Sequence, residues 1–163
     1  MVMFQASLFN FEQETITSST AGNLYGTQIT GDLGELEFDK FCTQNNISYY
    51  KSSSGAAPID RIIITDSGKT VKIHVKAALE NAYNSRNFPC WQFNTNESIK
   101  TADYYFCVGL AKQTREKEFV LWVPYEIGKH KRFQCSTKNI WKYSEFLKIP
   151  NEIMDVTNIF QFL

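Results

Sequence analysis

Two short stretches hold the residues with the most chemical potential, Ala57-Pro58-Ile59-Asp60 and Lys72-Ile73-His74-Val75-Lys76. An aspartate opens one apolar, β-branched run, and a lysine closes the next. A carboxylate placed this way can hold a divalent cation. An ammonium beside it can orient a water and offset charge on a phosphate. His74 stands between them and can either ligate a metal or hydrogen-bond in a polar cleft.

Strand alternation places Val71, Ile73 and Val75 on one face and Lys72, His74 and Lys76 on the other. A three-residue loop Asp66-Ser67-Gly68, with Gly68 left-handed, pairs Thr65 with Lys69 and sets Asp60 opposite His74. A Ser67-Gly68 loop would put Asp60 across from Val75 instead, and the glycine position favours the first register. Asp60, His74 and Lys76 then converge at one end of the hairpin. The same spacing also suits a turn aspartate after Pro58 with Lys72 and Lys76 as solvated strand positions.

These strands need elements around them. A helix is expected over residues 32–46, with Leu33, Leu36, Phe38, Phe41 and Cys42 as its apolar face and Asn45-Asn46 as its stop. Strands are expected over 47–50, 59–65, 70–75, 88–93, 103–110 and 119–123, the last ended by Pro124. Ser52-Ser53-Ser54-Gly55 reads as a loop, 141–147 as a helix on a basic face, and 153–163 as a packing tail. The 163 residues, 43% of them hydrophobic, suit a single α/β domain with a central mixed sheet flanked by helices. Within it, 1–30 form an N-terminal extension, 31–125 the core, and 126–163 a basic C-terminal part.

Composition narrows the function. No apolar run approaches the ~20 residues that cross a bilayer. The first residues lack the basic and apolar regions of a secretory signal, so an intracellular, cytoplasmic protein is expected. Cys42, Cys90, Cys107 and Cys135 are far apart and read as reduced, buried thiols. Gly-x-Ser-x-Gly, a phosphate-binding glycine loop and His-Glu-x-x-His are all missing, and no marked nucleophile accompanies His74. Acidic and basic residues balance at 17 each but are segregated: residues 1–39 contain no Lys or Arg, whereas Lys129, Lys131, Arg132, Lys138, Lys142 and Lys148 cluster near the end. Such asymmetry suits a surface facing a polyanion, or a solvated basic face with no partner.

Gly34-Glu35 in the early helix, Ala-Pro-Ile-Asp ending at Asp60, and His74-Val75-Lys76 resemble the PD-(D/E)XK nuclease superfamily, which includes junction resolvases, restriction enzymes and homing endonucleases. Trp91-Gln92-Phe93, Ala102-Asp103-Tyr104-Tyr105 and Trp122-Val123-Pro124 are similar to strands that follow the lysine in that group. The resemblance implies a restriction-endonuclease-like core. It further implies Asp60 as central metal ligand, Glu35 at the metal directly or through water, and Lys76 positioning the nucleophilic water. His74 departs from the pattern, which has Glu or Gln there. Imidazole is a softer ligand than the oxygen magnesium prefers, so an altered metal preference, replacement by water, or loss of catalysis are the outcomes to separate. A ligating His74 would bind metal less well in acid, because only neutral imidazole ligates. Glu35 has two competitors for its role: Asp32-Leu33-Gly34-Glu35 also reads as a capping box, and Glu37 flanks the same helix face.

The resulting expectation is an endonuclease that hydrolyses DNA phosphodiester bonds with Mg2+ or Mn2+, using Glu35, Asp60, His74 and Lys76. Lys129, Lys131, Arg132, Lys138 and Lys142, with Phe133, Trp141 and Tyr143 interleaved, would approach DNA through its phosphates. Two-fold DNA suggests a homodimer or higher homo-oligomer. The alternatives are a catalytically silent relative that binds nucleic acid or a partner protein, and an interaction domain whose Asp–Lys pair is a surface ion pair.

Overall fold

Helix α1 runs over Ala21–Gln44 and packs on a five-stranded mixed sheet. The computed structural model describes residues 21–52, 59–82, 87–95, 101–129 and 132–154, and side chains of α1 from Gly26 onward. The strands are β1 (Tyr49–Lys51), β2 (Arg61–Ile64), β3 (Thr70–Leu79), β4 (Cys90–Phe93), β5 (Tyr104–Leu110), β6 (Lys117–Pro124) and β7 (Phe133–Ser136). A short helix α2 (Tyr125–Gly128) follows β6, and a 3-10 helix over Ile140–Leu147 follows β7. The main sheet has the order β1-β2-β3-β5-β6, with β3 and β5 parallel and the other neighbours antiparallel. The expected mixed α/β architecture is therefore present. β4 and β7 form a separate antiparallel ribbon.

The helix starts at least eleven residues earlier than its composition suggests, since Asp32 lies well inside it. The polar, Thr- and Gly-containing stretch before Asp32 hides the start from a periodicity argument. Asp32 is therefore no N-cap, and the capping-box account of Glu35 fails. The helix ends as its asparagines imply. Asn46 adopts a φ of 54°, and the Ile47 N–H returns to the Cys42 carbonyl at 2.8 Å, a left-handed C-terminal cap. Leu36, expected on the buried face, is exposed instead.

Two cores flank the sheet. Phe38 and Cys42 of α1 pack with Ile63, Val71, Ile73, Phe106 and Val108 on one side. On the other, Trp91, Phe93, Phe133 and Cys135 of the ribbon cover Ala78, Tyr105, Cys107 and Val123. Gly34 permits the close approach of α1: a Cβ there would stand 2.7 Å from the Ala77 Cβ. All four cysteines are free and buried, and burial pushes the Cys42 and Cys135 thiols up to about 12. No described helix is long and apolar enough to cross a membrane.

β3 continues past Lys76 to Leu79, so the lysine sits within the strand rather than at its end. β7 occupies part of the basic segment where no strand was expected, and its pairing with β4 weaves that segment into the fold. The expected helix at 141–147 is a kinked 3-10 helix. The N-terminal segment 1–20, the loop residues 53–58 with Ala57 and Pro58, Lys131, and the tail 155–163 lie outside the described residues.

Candidate active site

The β2–β3 turn sets the geometry. Gly68 has a φ of 81°, the Thr65 N–H donates to the Lys69 carbonyl at 2.9 Å, and Arg61 pairs with Ile73. Continuing that register by one residue brings Asp60 level with His74, and the Asp60 N–H donates to the Ile73 carbonyl at 3.2 Å. The strand faces divide as alternation requires. Val71 and Ile73 are buried toward α1, while His74 lies on the opposite face, its ring stacked near Tyr105 at 6.0 Å between centroids.

Asp60 Oδ2 receives two donors. The Val75 N–H reaches it at 2.8 Å, and His74 Nδ1 lies 3.3 Å away. An ionised carboxylate only accepts, so Nδ1 carries the proton. In the neutral ring Nε2 is then the acceptor for the Thr101 hydroxyl, 2.8 Å away. Both nitrogens of His74 are thereby engaged. Its side chain is 6% exposed against 36% for Asp60, so an incoming phosphate or cation meets the carboxylate first. Burial alone would raise the Asp60 pKa. Hydrogen bonds from His74 and Val75, with the electrostatic pull of His74 and Lys76, outweigh it and hold the group below its ordinary value.

Glu35 is placed elsewhere. Its carboxylate accepts from Arg61 Nη2 at 3.0 Å, and Asp39, one helical turn on, accepts from Arg61 Nε at 3.2 Å. Arg61 also donates to the Asp60 carbonyl at 3.0 Å, and its guanidinium stands 5.8 Å from the Phe38 ring centre. This buried arginine ties α1 to the start of β2, next to Asp60. Glu37 faces Lys40 and Lys117, at 2.8 and 3.2 Å. Among the described residues, no three His, Cys, Asp or Glu side chains gather closely enough to hold one ion. Arg61 and Thr101 were not singled out in the sequence. Arg61 follows Asp60 directly, but its partners lie 22 and 26 residues away, and Thr101 meets His74 across 27.

A hard cation such as magnesium takes one or two carboxylates and completes its shell with water and phosphate oxygens. Asp60 fits that demand, with Oδ1 unbonded among the described residues. His74 acts on Asp60 as an orienting hydrogen-bond partner.

In the basic segment, Lys129 pairs with Glu126. Lys138 lies over the Phe88 ring at 4.3 Å, and Lys142 is 5.5 Å from the Trp141 ring centre. With its amide oxygen turned toward Arg132, Gln92 accepts from that exposed guanidinium at 3.1 and 3.2 Å. Phe133 is core, and Tyr143 packs on it at 5.0 Å. Trp141 is exposed.

No protein-family model matches the sequence, and no curated protein matches it significantly. The structure is similar to that of a bacterial homing endonuclease, I-Ssp6803I, with a TM-score of 0.51 over 83% of this chain and 93% of that one, at 11% identity. At that identity the likeness concerns the fold alone. The chain carries an endonuclease-like α/β fold.

Proposed function

We propose that this protein is a divalent-metal-dependent endonuclease that hydrolyses DNA phosphodiester bonds, belonging to the PD-(D/E)XK type. The observation that carries the reading is the ionised, partly exposed Asp60, buttressed by His74 and Val75, with Lys76 on the same strand face. The endonuclease-like fold agrees with it.

In this reading Asp60 would hold a Mg2+ or Mn2+ ion. The bound cation would polarise the phosphate and stabilise charge that develops during in-line displacement. His74 fixes the rotamer of Asp60 by donating Nδ1–H, a positioning role in place of a ligand. Lys76 supplies an ammonium that orients the water and offsets charge on the phosphate. Glu35, engaged by Arg61 at 3.0 Å, has no part in holding the ion in this reading. The basic residues Lys129, Arg132, Lys138 and Lys142 attract the duplex, and a homodimer would present two sites to two strands.

The test is cleavage of supercoiled plasmid and of branched DNA in magnesium, in manganese and in chelator, with Lys76→Ala alongside. The reading expects nicking that needs the metal and is lost in the variant. A folded protein that binds DNA yet stays silent in every metal would instead favour a nucleic-acid-binding relative without catalysis, a state in which the engagement of both His74 nitrogens leaves too few ligands.

A further inference from the structure

We propose that Lys72 anchors the DNA phosphate next to the one presented to Asp60, on a strip of sheet that the β4–β7 ribbon leaves open. The inference rests on the nuclease reading and adds a residue to it. Lys72, His74 and Lys76 form a file along one face of β3, with about 7 Å between successive side chains. Neighbouring phosphates of one DNA strand repeat on a comparable scale. A phosphate seated at Asp60, beside the middle of the file, therefore has a lysine on either side.

The surroundings of Lys72 suit a strand of DNA. Tyr50, Ile62 and Lys72 stand in a row across β1, β2 and β3, two rungs from the Asp60–His74 pair and on the same face. Tyr50 is 59% exposed, and Lys72 is exposed as well. The ribbon packs over Tyr105 and Ala78, away from this corner. Other lysines near the hairpin are neutralised: Lys69 by Glu152 and Lys51 by Asp39. Among the described residues no carboxylate pairs with the Lys72 ammonium, and Asp103 instead accepts its backbone N–H at 2.9 Å. An exposed lysine with no carboxylate on its ammonium among the described residues, two strands from an exposed aromatic side chain and on the face of the site, matches a sugar-phosphate backbone in charge and shape.

The test is DNA binding across a salt series, in an Asp60→Asn background so that cleavage does not interfere. The probes are a linear duplex and a four-way junction. Lys72→Ala should weaken binding roughly threefold to tenfold at low salt and reduce the slope of log K against log salt by ~0.9. Lys72→Arg should keep the slope, and Lys112→Ala, in the turn after β5, should change nothing. An unchanged slope in Lys72→Ala protein that still binds DNA overturns this inference and leaves the nuclease reading standing. Failure of every protein to bind either probe at low salt overturns both.

Discussion

His74 Nδ1 lies 3.3 Å from Asp60 Oδ2, so the imidazole donates a hydrogen bond to the carboxylate. Two carboxylates at this spacing would repel and raise one pKa. A histidine instead helps hold Asp60 ionised. His74→Ala should cost about 10–100-fold in cleavage, the scale of losing an orienting partner at a metal site. His74→Gln retains a donor and should recover most of the loss. Equal losses in both variants, measured as kcat/KM on plasmid, would contradict an orienting role.

Glu35 and Arg61 offer a second discrimination. Glu35 is half-exposed, and removing its charge by Glu35→Gln should cost under ~1 kcal/mol of stability. Cleavage should change little. A fall of about a hundredfold would return Glu35 to the ion. Arg61→Met should be far more damaging to stability, by about 2 kcal/mol, because it strips Glu35 of its partner, takes one of two cations from Asp39 and frees the Asp60 carbonyl. Urea unfolding of the two variants beside the wild type separates these cases.

Gly34→Ala sets two opposed effects against each other. Alanine gains up to ~1 kcal/mol of helix propensity. The added Cβ would stand 2.7 Å from the Ala77 Cβ, and overpacking of this kind costs ~1–3 kcal/mol. The clash should win, with net destabilisation of about 1 kcal/mol. A variant as stable as the wild type in urea would show that α1 can shift off β3.

Acid should unfold the protein through three carboxylates. Burial raises Glu37, Asp39 and Asp60, but Lys40 and Lys117 outweigh it at Glu37, Lys51, Tyr49 and Arg61 at Asp39, and His74 and Val75 at Asp60. All three end below their ordinary values. Their stabilisation is fully present above the unfolded pKa of ~4 and is lost as pH falls through the lower folded values. Stability should fall steeply below about pH 4, and Asp60→Asn should remove part of that slope. An Asp60→Asn slope identical to the wild type would contradict the assigned state of Asp60.

The hairpin was legible because local chemistry specifies it: Gly68 selects the turn, the turn fixes the register, and alternation puts His74 and Lys76 on one face. Pro124 likewise marks the end of β6. The helix start was not legible, because Gly34 meets β3 without a side chain and Thr30 turns its hydroxyl back to the Gly26 carbonyl, so the first turns leave no apolar period. β7 was hidden because its four residues gain strand character only by pairing with β4, forty or more residues earlier. The Arg61 clamp escaped for the same reason, since its acids lie on a helix distant in sequence.

Asp60→Asn isolates the proposed metal ligand when assayed in parallel for metal-dependent plasmid cleavage, DNA binding and thermal unfolding. If Asp60 holds the metal, cleavage in both magnesium and manganese disappears while DNA binding and the folded state at neutral pH persist. Cleavage retained at the wild-type rate by folded Asp60→Asn protein would contradict it and move the chemistry away from the β2–β3 hairpin.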